Sequence, residues 1–145
     1  MKYDFRLFTN LRSISIDGAW SSNRLDLSGN TNLEKIKIKC KNLEELILPE
    51  NAPLKEFTCI DSQLKGIDLN NFKDLEIIDL QCNDVLTEVD ISGLPSLTAI
   101  NCSANKLLNT ITISDCANLK HLNCASNNLA SLNITGCENI EKLNR

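Results

Sequence analysis

Aromatic side chains are scarce in this chain: they make up 4% of its 145 residues, with one Trp and one Tyr. A core built from a few large rings is therefore excluded, and the 42% of hydrophobic residues must fill it with repeated aliphatic side chains. Histidine is scarcer still, with a single residue, and no Gly-rich phosphate loop occurs. Catalysis needs a nucleophile with a base, paired carboxylates or a metal converging in a pocket. That material is thin here, so a non-enzymatic role without a cofactor is expected. Excess positive charge is missing too. The net charge is −4 and no long basic run occurs, so nothing draws the chain towards nucleic acid. No apolar run approaches the roughly 18 residues of a membrane span. The opening MKYDFRLFTN has no long apolar segment of the secretory kind.

What the chain does have is a repeat. LTAINCSANKLLNTITISDC, from Leu97, is followed one period later by LKHLNCASNNLASLNITGC, from Leu119. Leu97 falls on Leu119, Ile100 on Leu122, Cys102 on Cys124, Asn105 on Asn127, Leu107 on Leu129, Ile113 on Ile134 and Cys116 on Cys137. A period of 20 to 29 residues marks a solenoid. With the first Leu as position one, full repeats begin at Leu11, Leu33, Leu54, Leu75, Leu97 and Leu119, with partial ones at both ends: Tyr3, Asp4 and Phe5 align with Leu25, Asp26 and Leu27, and another repeat starts at Ile140. The whole of 1–145 is expected to be one such array. Each turn carries an inward trio (Leu33, Ile36 and Ile38, for example) whose period-two alternation predicts a short strand. A second inward pair follows: Leu25/Leu27, Leu46/Leu48, Ile67/Leu69, Val89/Ile91, Ile111/Ile113 and Leu132/Ile134. Its spacing predicts a second extended segment, since too few residues remain for a helix.

The motif L-x-x-L-x-C-x-x-N-x-L resembles the core of the leucine-rich-repeat superfamily. It is most similar to the short bacterial repeats of internalin-like surface proteins, where Cys often takes an inner position. The resemblance implies a parallel sheet lining one side of the solenoid, extended and turn segments on the other, and little α-helix. It also implies a ladder of inward Asn at position nine that hydrogen-bonds the backbone of adjacent turns. Asn83, Asn105 and Asn127 fit; Ser62, Lys41 and Ala19 replace them in the first half. A lysine is costly to bury, so the first half is expected to be the more irregular one. Residues 18–24 also break the pattern, with Trp20 expected to cover a gap.

Seven cysteines invite a disulfide or zinc interpretation. Cys59, Cys102 and Cys124 take a place held elsewhere by Ile16, Ile38 and Leu80, and Cys116 and Cys137 one held by Phe8, Phe72 and Leu94. A Cys that alternates with Leu, Ile and Phe acts as a small buried hydrophobe. No C-x-x-C occurs, and Cys116, His121 and Cys124 have no known zinc spacing, so no metal is expected. Cys40 and Cys82, at position eight, are expected to face outward. Unpaired thiols favour a reducing cytoplasm, or the cell surface if the sequence is a fragment of a longer array. The sequons at Asn101 and Asn133 identify no compartment.

The outward columns are where function is expected. Position three runs Ser13, Lys35, Glu56, Ile77, Ala99, His121 and Lys142; position five runs Ser15, Lys37, Thr58, Asp79, Asn101, Asn123 and Asn144; position seven adds Lys39 and Ile60. They change from turn to turn while the inward columns barely do. A lysine stripe (Lys35, Lys37, Lys39), an apolar centre (Ile60, Ile77, Ala99) and a polar remainder (Thr58, Asp79, Asn101, His121, Asn123) make a candidate surface for a protein partner. The implied role is recognition, in bacterial adhesion or host interaction; the alternative is a structural spacer. Asp4, Asp26, Asp68 and Asp90 share an outward column on the other side, either a solvated face or a weak calcium site. With no polar cap visible at either end, self-association through the ends is also expected.

Overall fold

A computed structural model of the chain describes residues 4–18 and 21–145. The expectations for Tyr3, Ala19 and Trp20 lie outside them. In chain order the strands are β1 (Ser13–Asp17), β2 (Arg24–Asp26), β3 (Lys35–Lys39), β4 (Glu45–Ile47), β5 (Glu56–Ile60), β6 (Ile77–Asp79), β7 (Glu88–Ser92), β8 (Ala99–Asn101), β9 (Thr110–Ser114), β10 (His121–Asn123), β11 (Ser131–Asn133) and β12 (Lys142–Asn144). The only helical element among the described residues is a 3-10 turn at Phe5–Leu7. The strands wind into a parallel β-solenoid of about six turns. Its main sheet has seven strands in the order β1-β3-β5-β6-β8-β10-β12.

Registry follows the repeat. Ile14 pairs with Ile36, Ile36 with Phe57, Phe57 with Ile78, Ile78 with Ile100, and Ile100 with Leu122. A slip of one residue would turn every inward side chain to solvent, so the aliphatic trio locks the stack. From Leu33 to Cys124 the trio residues, Cys59 and Cys102 among them, are fully buried, and in the first turn Leu11 and Ile16 are half-buried. Each fully buried Leu or Ile stabilises the fold by about 1.5–3 kcal/mol over leaving it exposed.

The second extended segment forms on the other side in five of the six turns. It pairs as β2-β4 and as β7-β9-β11, and at Ile67–Leu69 no strand forms, so the outer ladder is interrupted in the third turn. There Asn70 Oδ1, not a strand carbonyl, accepts the Ser92 N–H at 2.8 Å. On the outer side the break thus falls in the first half, whereas on the main sheet the first three strands, β1, β3 and β5, are the longer ones.

The asparagine ladder forms at position nine. Asn83 Nδ2 donates to the Cys59 and Leu80 carbonyls, both at 2.8 Å, and its Oδ1 accepts from Ser62 N (2.9 Å) and Ser62 Oγ (2.7 Å). Asn105 Oδ1 takes the Asn83 N–H at 2.6 Å, and Asn127 Oδ1 the Asn105 N–H at 2.8 Å. Ser62, fully buried, is the ladder's terminal rung.

Two sequence expectations fail at this corner. Cys40 is not outward but 1% exposed, while its neighbour Lys41 takes the solvent side. Gly18, Asp61, Cys82, Ala104 and Ser126 hold the same position with positive φ; Cys40 does not. That corner therefore follows a different path, and the thiol rather than the ammonium goes inside because burying Lys41 would cost far more. Leu107 is likewise not equivalent to Leu129: it is 54% exposed, and Leu108 fills the core. In the 22-residue turns the inward Leu is at position twelve (Leu86, Leu108); in 21-residue turns it is at position eleven (Leu43, Leu64).

Candidate functional site

Parallel pairing brings the outward residues of positions three, five and seven onto one face of the seven-stranded sheet. Lys35, Glu56, Ile77, Ala99, His121 and Lys142 form one row; Lys37, Thr58, Asp79, Asn101, Asn123 and Asn144 form the next. Lys39 stands beside Ile60 at the far edge. Strand pitch sets the rows about 7 Å apart and neighbours within a row about 4.8 Å apart.

The apolar centre divides on this grid. Ile77, 43% exposed, adjoins Ala99 in the first row. Ile60 lies four residues along the strand from the Ile77 row, about 13 Å away, with Thr58 and Asp79 between them. The sequence placed all three on the face, but equal position numbers were needed for contact. Ile77 with Ala99 is the contiguous apolar spot.

The charges are partly satisfied within the chain. Lys35 pairs with Glu56 across the strands, and Lys39 Nζ lies 3.8 Å from Asp61 Oδ2. Lys37, between Ser15 and Thr58, makes no ion pair among the described residues. Exposed pairs of this kind contribute at most about 1 kcal/mol each, so a partner's carboxylates can compete for the lysines.

The polar residues have a local task that spacing alone did not show. Asp79 Oδ1 accepts the Gln81 N–H at 3.2 Å, Asn101 Oδ1 that of Ser103 at 3.2 Å, and Asn123 Oδ1 that of Ala125 at 3.3 Å. Each is an Asx turn, and three residues after each comes a left-handed residue: Cys82, Ala104 and Ser126, at φ 58°, 57° and 59°. On the outer side Asp26, Asp68 and Asn133 do the same, whereas Asp90 accepts only the Ser92 hydroxyl. Asp26 Oδ1 accepts the Ser28 N–H, Asp68 Oδ1 the Asn70 N–H, and Asn133 Oδ1 the Thr135 N–H, all within 3.1 Å. Bonding to Ser28 also holds the Asp26 carboxyl below the ordinary range. Among the described residues no three His, Cys, Asp or Glu come together as a metal site.

A further regularity went unread in the sequence. Asn32, Asn118 and Asn139, each just before the first Leu of a turn, donate to the Thr9, Pro95 and Ala117 carbonyls of the preceding turn at 2.6–2.8 Å. The recurring N-L and N-I pairs were the available signal.

Six of the seven thiols are buried and Cys82 is half-buried. All seven are free, and burial pushes Cys59 and Cys102 up to about 12. His121 is exposed on the sheet face, remote in orientation from the buried Cys124 three residues on. A depression of about 730 Å³ is lined by Ser22, Lys41, Glu44 and Gln63, none of them among the candidate face residues. No helix among the described residues is long and apolar enough to cross a membrane. No known protein family matches the chain, and neither a curated protein nor a solved structure does.

Proposed function

We propose that this chain is a non-enzymatic recognition module that binds a protein through the exposed face of its seven-stranded sheet. The observation that carries this is the contrast between columns. Inward residues repeat with little change over six turns, whereas the outward ones pass from lysines through Ile77 and Ala99 to His121 and Lys142. Solenoids present such continuous surfaces to partners. The face fits a partner that seats an apolar side chain on Ile77 and Ala99 and directs carboxylates towards Lys37 and its neighbours. The motif and the asparagine ladder support a leucine-rich-repeat assignment, and the inner Cys column an internalin-like one, with bacterial adhesion or host contact as the setting.

A specific observation favours a second function, that of a spacer. Asp79, Asn101 and Asn123 are engaged in their own turns, and Lys35 and Lys39 in ion pairs, leaving fewer groups free for a partner. Affinity capture from host and bacterial lysates discriminates if run with variants. A true partner binds the wild type, is weakened by about 1–3 kcal/mol in Ile77→Ser as hot spots are, and associates more slowly with Lys37→Glu. It is indifferent to Asp68→Asn, which keeps the turn's acceptor on the opposite side. Capture that ignores the face variants overturns the proposal, and no saturable capture at all leaves the spacer.

A further inference from the structure

We propose that Cys116 and Cys137 form a redox-active thiol pair that a peroxide closes into a disulfide across two successive turns. The way the chain brings them together sets them apart from the other cysteines.

β9 and β11 pair in parallel, with Thr110 opposite Ser131 and Thr112 opposite Asn133. The same offset, carried past the strands, sets Cys137 opposite Cys116. Backbone bonding continues in that direction, since the Asp115 N–H donates to the Thr135 carbonyl at 2.9 Å. Asp115 and Gly136 both turn with positive φ, 53° and 74°, so the two corners follow one path. They also approach closely: a Cβ on Gly136 would meet the Asp115 backbone N and Cα at 3.0 Å. Paired strands lie about 4.8 Å apart, within the Cα separation of about 4.4–6.8 Å that a disulfide spans.

The thiols converge as well. Cys116 Sγ donates to the Ser114 carbonyl at 3.4 Å, and Cys137 Sγ reaches back a turn to the Ile113 carbonyl, also at 3.4 Å. Both sulfurs therefore sit at adjacent peptide groups of one turn. Burial raises the Cys116 thiol above its ordinary range, and the Cys137 thiol within hydrogen-bonding reach adds to that. Cys102 and Cys124 provide the contrast. They too are neighbours across turns, one residue past the paired Asn101 and Asn123. Cys102 Sγ, however, donates onward to the Asn123 carbonyl at 3.5 Å, and Cys124 Sγ to that of Asn144 at 3.2 Å. Those two thiols lean the same way along the stack and keep their separation.

Cys137, 5% exposed, meets the oxidant first; Cys116 has no accessible surface. The Cys137 thiolate attacks one peroxide oxygen and the O–O bond breaks. Hydroxide leaves, takes up the proton the thiol had released, and a sulfenic acid remains. The Cys116 sulfur then attacks the Cys137 sulfur, and its proton departs with the displaced hydroxide as water. Two thiols thus give up two electrons, and one peroxide becomes two waters. The bridge ties the turn that starts at Leu97 to the one that starts at Leu119. It lies beyond the outer strands β9 and β11 and uses no residue of the candidate face.

The test treats the folded, reduced chain with hydrogen peroxide and then alkylates it in denaturant. The seven free thiols should fall to five, and a dithiol reductant should restore seven. Peptide mapping with fragmentation should place the bridge between Cys116 and Cys137. Cys137→Ser should keep its remaining thiols under the same treatment, whereas a Cys102→Val, Cys124→Val variant should lose two, as the wild type does. A wild-type count that stays at seven overturns the proposal. So does a map that joins any other pair, or thiols lost with no bridge formed. The wild-type map is decisive whatever the stability of the variants.

Discussion

Replacing Asn83 by Ala tests the ladder where it carries most. Four hydrogen bonds go with that side chain: two donated to the Cys59 and Leu80 carbonyls and two accepted from the Ser62 N–H and Oγ. All four lie in the buried interior, so water cannot replace them without opening a turn. A hydrogen bond contributes about 1 kcal/mol net, and a buried group left without a partner costs about 1–3 kcal/mol. Partial relaxation of the corner offsets some of this, and a loss of about 3–5 kcal/mol is expected. Asn105→Ala should cost less, about 2–3 kcal/mol. It strands the Asn83 N–H, but the Cys102 carbonyl keeps Asn127 Nδ2 at 2.9 Å. Ser62→Ala should cost least, about 1–2 kcal/mol: Asn83 Oδ1 retains the Ser62 N–H, while the Leu64 N–H loses its 3.3 Å bond to Ser62 Oγ. Urea unfolding gives the three values, read as midpoint shifts at constant slope. Because Asn83 and Asn105 bond directly, the double mutant should lose less than the sum. Equal costs at all three sites, or strict additivity, would refute the ladder's energetic role.

Ala104 sits at φ 57°, a left-handed conformation that disfavours any Cβ, so Ala104→Gly should stabilise the chain by about 0.5–1 kcal/mol after the entropy cost of glycine; a lowered urea midpoint would contradict this. Thiol labelling in denaturant should count seven free groups, and in the native state Cys82, half-buried, should react well before Cys40, which is 1% exposed. Alkaline pH should destabilise. Cys59 and Cys102 are raised from 9.0 to about 12, so between those values the unfolded chain has released protons that the folded one retains, and stability falls as pH rises. By pH 10.5 the loss is about 2 kcal/mol per thiol, and a Cys59→Val, Cys102→Val variant should lack that part of the pH dependence.

Most of the main sheet was legible because repeat length and strand register are the same quantity. Once Ile36, Phe57 and Ile78 were aligned by position, their pairing followed, and so did the burial of Cys59, Cys102 and Cys124 in the same column. Corners were not legible in that way. Leu107 and Leu108 are adjacent leucines, and only the path of the chain decides which one turns inward. Cys40 and Lys41 pose the same choice, and position counting chose wrongly where desolvation cost would have chosen well. Left-handed residues were hidden because Asp61, Cys82, Ala104, Asp115 and Ser126 hold positions where glycine would have announced the turn. The candidate face was legible as a set of columns. What could not be seen was that Asp79, Asn101 and Asn123 close turns, or that Ile60 stands apart from Ile77.

Alternation between 21 and 22 residues shows where this fold tolerates variation. Within β5 or β6 an added residue would exchange the inward and outward sets of every later position in that strand. At the ladder it would move Asn83 away from the Cys59 and Leu80 carbonyls, or Asn105 away from that of Cys102. Past the ladder rung neither constraint applies: the inward leucine is at position eleven in Leu43, Leu64 and Leu129 and at twelve in Leu86 and Leu108, and the strands that follow Leu108 and Leu129 pair in register all the same. The corner holding Val85 and Leu107 thus absorbs length, while the sheet on the other side holds its rows fixed. Outward residues on that sheet carry neither register nor ladder, and this freedom is what lets Lys37, Ile77 and His121 differ at the cost of little stability.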